Sequence, residues 1–138
     1  MSEESPENKM SSPGMSPFGD FIGIEIETYA EGHARCSLKL APHHMNNGGR
    51  VHGGVLTALA DTTAGMAVRS VRPTGTQTAT TDLSIAFIRP PAGELLIAEA
   101  KVIHAGKRLL RTEISVSCEN KLVARTYATF MIVSTTQA

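Results

Sequence analysis

One carboxylate stands out for the chemistry it could do. Between Val51 and Val68 the only residue with a full charge at neutral pH is Asp61. Around it Val55, Leu56, Leu59, Ala60, Ala64, Met66, Ala67 and Val68 spread over all sides of a helical wheel. Aspartate is a poor helix-interior residue, and an unpaired buried carboxylate is costly. Either a cation neutralises it, or it serves as a base or nucleophile in an apolar setting. Arg69, eight residues on, lies about 12 Å further along a helix rising 1.5 Å per residue. Arg72 or a histidine from another segment are the remaining partners. The second feature is Gly48-Gly49-Arg50-Val51-His52-Gly53-Gly54, which leads into the same helix. Four glycines in these seven residues allow close backbone approach. The free N–H groups of a first helical turn can then face a developing oxyanion. A flexible loop with tight helix packing would use glycine in the same way.

The elements that must position these groups follow from periodicity. Ile22, Ile24 and Ile26 alternate with Glu25 and Glu27, and Ala34, Cys36, Leu38 and Leu40 with Arg35, Ser37 and Lys39. Period two predicts two strands, each with one wet face, turning back around Glu31-Gly32-His33. A short capped turn over Ser16–Phe21 precedes them, and a Gly/Asn-rich loop follows Pro42. One long helix is predicted from Gly53 to about Val71; being apolar all round, it should be buried. Four further strands are predicted over Thr78–Ile88, Leu95–His104, Leu109–Cys118 and Leu122–Val133, with hairpins at Ala105-Gly106-Lys107 and Glu119-Asn120-Lys121. The expected architecture is α+β, an antiparallel sheet of about six strands wrapped around one central helix. Residues 1–14 are Ser/Glu/Pro-rich and read as a disordered tail, leaving residues 15–138 as the folded domain.

Asn46, then His52-Gly53-Gly54, then Leu59-Ala60-Asp61, resembles the hotdog-fold acyl-CoA thioesterases, in the branch that includes phenylacetyl-CoA thioesterases. The stretch Thr81-Asp82-Leu83-Ser84-Ile85-Ala86-Phe87-Ile88-Arg89-Pro90 is similar to that branch's strand after the helix, and the likeness runs from about Pro17 to Val133. The resemblance implies hydrolysis of acyl-CoA to free acid and coenzyme A. It makes Asp61 the nucleophile or general base and sets the Gly53 N–H on the thioester carbonyl. It places Asn46 on the substrate or water, and gives Thr80 the orienting of the attacking water. His52 is expected to shape the loop rather than transfer protons. It also implies a homodimer, often assembled further into a tetramer.

Helix geometry points to two chains independently of the resemblance. Gly53 and Asp61 are eight residues apart, roughly 12 Å along one helix. A carbonyl oxygen and the atom attacking its carbon each need partners within about 3 Å. Two chains related by a two-fold axis could set one helix start beside the other's mid-helix.

Composition narrows the partners. Thirteen basic and thirteen acidic residues cancel, so no broad field exists to hold nucleic acid or an anionic membrane. The phosphates of coenzyme A must then be met locally. Arg89, Lys107, Arg108 and Arg111 lie at strand ends or near a hairpin, and Arg89 and Arg108 are the candidate contacts. Met66 and Phe87 are candidates for an acyl pocket suited to aromatic or medium-chain groups. No metal-ligand spacing joins His43 and His44 to a further ligand, and no cofactor is expected beyond the coenzyme A of the substrate. Cys36 and Cys118 fall on apolar strand faces and read as buried thiols. No segment approaches the ~18 apolar residues of a membrane span, and a cytoplasmic location is expected. A hotdog dehydratase resembles a different pattern, a catalytic His with a separate Glu, and here no acidic residue follows the His-Gly-Gly turn before Asp61. A non-catalytic acyl-CoA sensor usually carries an extra DNA-binding region, for which this chain is expected to have no room.

Overall fold

The computed structural model describes residues 15–133. The expected tail over residues 1–14 lies outside the described residues. The chain opens on a short helix α1 (Pro17–Ile22), capped by Ser16, whose hydroxyl accepts the Gly19 N–H at 3.0 Å. Gly23, at φ 94°, ends it in the left-handed region that glycine enters freely. Strands β1 (Ile24–Ala30) and β2 (His33–Lys39) follow as a hairpin. A 3-10 turn (Pro42–His44) and the glycine loop lead to the long helix α2 (Gly53–Arg69). Then come β3 (Gln77–Phe87), β4 (Leu95–Ala105), β5 (Leu109–Cys118) and β6 (Lys121–Val133).

All strand pairs are antiparallel and form one six-stranded sheet in the order β1-β2-β4-β5-β6-β3. The α+β expectation holds, with element ends moved by one or two residues. The sheet's inner face is the one the alternation assigned. Leu96, Ala98 and Ala100 on β4, Leu110 through Cys118 at every second position on β5, and Ala124, Ala128 and Phe130 on β6 are buried. They pack against Leu56, Leu59, Ala60, Ala64, Met66, Ala67 and Val68 of α2.

The helix departs from expectation in one respect. A stripe along it, made of Thr57, Ala58, Asp61, Thr62, Gly65 and Arg69, is only half-buried. The sheet of one chain curls partway round the helix and ends at β3, leaving this stripe at an open margin. Most of the stripe is small side chains, so an apolar helix need not be closed over by its own sheet.

Cys36 and Cys118 are buried free thiols, and burial pushes the Cys36 thiol above its usual range. Cys36→Ala and Cys118→Ala should therefore lower the melting temperature and leave the hydrolysis that the resemblance implies within a few-fold of the parent. Loss of activity in a variant with an unchanged melting curve would show a thiol mechanism instead.

Candidate functional site

Asp61 is half-buried in the middle of α2 and has no cationic partner among the described residues. Its partner is a hydroxyl. Thr80 Oγ1 on β3 donates to Asp61 Oδ1 at 2.9 Å. No donor among the described residues takes the other carboxylate oxygen. A carboxylate with one oxygen anchored and the other free has a fixed direction and an available lone pair, as a general base or nucleophile requires.

A fault in the β3 ladder sets which side chains meet the helix. Thr80 pairs with Phe130, Asp82 with Thr129 and Leu83 with Ala128 on β6, so Thr81 is an extra residue. Its hydroxyl donates to the Thr129 carbonyl at 3.2 Å. Thr80 and Phe87 are seven residues apart, an odd spacing that regular alternation sends to opposite faces. The bulge absorbs one residue and turns both toward α2. Thr80 thereby reaches Asp61, and the Phe87 ring lies against Gly53, where an added Cβ would sit 3.2 Å from the ring.

The helix start is built by its own loop. His52 is the N-cap, extended at φ −64° and ψ 135°, and its Nδ1 accepts the Gly54 N–H at 2.8 Å. The Gly53 N–H is left without an intrahelical acceptor, as at any first helical position. Asn46 closes the loop before it. Its Oδ1 accepts N–H groups from Gly48 at 2.8 Å and Arg50 at 3.1 Å, and its own N–H donates to the Arg50 carbonyl at 2.7 Å. Only the Asn46 amide NH₂ remains to donate outward. Asn46, Arg50, Val51, Gly53, Leu56, Phe87, Ile88, Arg89, Pro90 and Pro91 line one cleft of about 300 Å³.

His52→Asn keeps a capping acceptor, so it should retain turnover within a few-fold. His52→Ala should cost about 1 kcal/mol of stability, read as a lowered melting temperature. A collapse of turnover in His52→Asn with stability unchanged would give the imidazole an acid–base role.

The structure separates residues that the sequence had grouped. Arg89 lines the cleft, beside strand end β3. Arg108 sits on the β4–β5 hairpin, its carbonyl accepting the Ile132 N–H, and Ile132 pairs with Thr78 at the other end of β3. At about 3.3 Å per residue, Thr78 and Phe87 stand roughly 30 Å apart, so one chain cannot bring both arginines to one ligand. Arg111 is already engaged on the outer face of the sheet, with Thr129 at 2.8 Å, Asp82 at 3.5 Å and the Tyr127 ring at 5.6 Å. Of the two candidates for an acyl pocket, Phe87 lines the cleft, whereas Met66 belongs to the core. His44 is buried and structural, its Nδ1 accepting the Ala41 N–H and its Nε2–H donating to the Ile22 carbonyl. Among the described residues no group of histidines, cysteines and carboxylates is arranged to hold a metal. Two larger depressions, of about 390 and 660 Å³, lie away from Asp61 and Gly53 and share the ion-paired Arg35 and Glu99. Arg50 is the charged cleft residue that sequence reasoning passed over, since it read as part of a glycine loop.

Known proteins resemble this chain in sequence and in fold. A curated relative in Halobacterium salinarum, provisionally named an esterase, is 38% identical over 101 residues, covering 70% of this chain and 66%, about two thirds, of its own length. The medium/long-chain acyl-CoA thioesterase YigI of Escherichia coli is 26% identical over 132 residues, covering 84% of this chain and 85% of the relative. Among solved structures, a point mutant of the phenylacetic acid degradation protein PaaI from Thermus thermophilus superposes with a TM-score of 0.78 at 26% identity, covering 84% of this chain and 98% of that one. The model of the thioesterase superfamily matches residues 48–124. That span runs from the glycine loop through Gly53, Asp61 and Thr80 into β6, so by sequence and by fold the chain belongs to the thioesterase superfamily.

Proposed function

We propose that the protein hydrolyses acyl-CoA thioesters, with Asp61 as the catalytic carboxylate. The observation that carries this reading is the Thr80-anchored Asp61, whose second oxygen is free among the described residues. The thioester carbonyl would rest on the Gly53 N–H, which polarises it and stabilises the oxyanion. Asp61 then takes a proton from water as the oxygen attacks, or attacks the carbonyl carbon itself to give an anhydride that water opens. In both routes the C–S bond breaks, the thiolate of coenzyme A departs and takes up a proton, and the acid is freed. Thr80 fixes the carboxylate, the Asn46 NH₂ is the remaining donor for substrate or water, and His52 holds the helix start. Coenzyme A belongs to the substrate, and no other cofactor enters the route.

The reaction centre would be shared by two copies of the chain. Gly53 and Asp61 are eight residues apart on α2, about 12 Å along the axis. β3 is an open sheet edge eleven residues long, and the half-buried stripe of α2 runs beside it. Antiparallel pairing of two β3 strands would cover both and lay one chain's Asp61 toward the other's Gly53. A homodimer of this kind, paired into a homotetramer, is the assembly proposed. Among the described residues no helix is long and apolar enough to cross a membrane, and a coenzyme A substrate fits a cytoplasmic enzyme. Aromatic or medium-chain acyl groups are the substrates proposed.

Thiol release from a panel of acyl-CoA esters is the test. Turnover on aromatic or medium-chain members is expected. Tight binding without thiol release from any member would make the chain a non-catalytic acyl-CoA-binding module.

A further inference from the structure

We infer that Arg50 and Arg89 act together as an anion clamp at the mouth of the Gly53 cleft, admitting coenzyme A from the end of β3 and holding its phosphates outside. The inference rests on the acyl-CoA reading above and adds to it which arm of the substrate the cleft takes. Both guanidinium-bearing residues line the cleft, both are exposed, and neither forms an ion pair among the described residues. Arg35, Arg111 and Arg125 each face a carboxylate within 3.5 Å, and Arg69, Arg72 and Arg108, which form no ion pair among the described residues either, do not line the cleft. Two unpaired guanidiniums at the rim of one largely apolar cleft suit an anionic ligand with an uncharged tail.

Size sets which part goes inside. A cleft of about 300 Å³ is at the small end of ligand pockets. It has room for a flexible uncharged chain such as the pantetheine arm and none for a nucleotide as well. Val51, Leu56, Phe87, Ile88, Pro90 and Pro91 supply apolar walls for that chain, and the Gly53 N–H lies in the same cleft. The thioester would arrive at Gly53 with the phosphates still at the rim. The acyl group then continues past Gly53, away from the arginines.

Both arginines are held by backbone and not by chance of side-chain packing. Asn46 Oδ1 accepts the Arg50 N–H, the Asn46 N–H donates to the Arg50 carbonyl, and the next residue, Val51, bridges to Met45. The N–H groups of Ile88 and Arg89 both point to the Val123 carbonyl, at 2.8 and 3.4 Å, where β6 carries an extra residue opposite β5. Asn46 is thus a positioning residue for Arg50, in addition to offering its NH₂ to the cleft.

The test compares one acyl group carried on coenzyme A and on pantetheine, which lacks the nucleotide and its phosphates. For the parent, kcat/KM should favour the coenzyme A ester. Arg50→Gln and Arg89→Gln should each cut that preference about tenfold, through KM, and the double variant should nearly abolish it. Lys101→Gln, at the outer-face depression, serves as the control and should leave the preference unchanged. Equal losses on both esters, or no loss on either, would overturn the clamp while the thioesterase reading stands. Collapse of the preference in Arg108→Gln alone would also overturn it, by moving phosphate binding to the hairpin of the partner chain. Absence of turnover on either ester by the parent would instead remove the reading on which the clamp rests.

Discussion

Asp61→Asn should lower thioester turnover at least ~100-fold while leaving the melting curve and acyl-CoA binding close to those of the parent. Asparagine keeps the shape of the side chain, and its carbonyl oxygen can still accept the Thr80 hydroxyl that Asp61 accepts at 2.9 Å. What it loses is the charge and the basic second oxygen, and both hydrolytic routes use that oxygen. The substitution removes a carboxylate from a half-buried site with no cation beside it among the described residues, so no ion pair among them is lost and stability should hold or rise slightly. Steady-state thiol release, paired with ligand binding to the purified variant, measures both effects. Near-parental turnover would take Asp61 out of the chemistry and return attention to His52.

The fold was largely legible because its signals are local. Alternation over Leu109–Cys118 and Leu95–Ala105 marks the inner face one residue at a time, and the structure buries those residues. The positive-φ pair Glu119 and Asn120, at 52° and 64°, is the kind of two-residue turn that such short connections require. The site was legible in its residue types and less so in its contacts. Nothing local to Thr80 says that it faces Asp61, because the facing depends on the extra residue at Thr81 and its pairing with β6. The oxygen of Asn46 was unreadable for the same kind of reason, being spent on the Gly48 and Arg50 N–H groups in a loop whose shape no periodicity encodes. Arg89 and Arg108 looked alike as basic residues near strand ends, and only the sheet order sets them at opposite ends of β3. The helix read as buried on all sides, because composition reports that a face is apolar and not how far the sheet of the chain reaches round it.

The central claim, a site assembled from one chain's Gly53 and the other's Asp61, is tested by mixing two dead variants. Asp61→Asn removes the carboxylate, and Gly53→Pro removes the N–H proposed to hold the oxyanion. Proline suits the first position of a helix. The residue before it must be extended, and His52 already is, at φ −64° and ψ 135°. The added ring carbon would meet Phe87 at 3.2 Å, and Phe87 is 54% exposed, so its ring has space to give way. Circular dichroism and mass spectrometry should show each variant folded and dimeric, and each alone should be nearly inactive. After subunit exchange about half the dimers are mixed, each with one doubly damaged site and one intact site. The measurement is the thiol-release rate of the exchanged mixture. Recovery to roughly a quarter of the parental rate is the expected result for a two-chain site. No recovery, with mixed dimers seen by mass spectrometry, would contradict it, since residues acting within one chain leave every site in the mixture damaged.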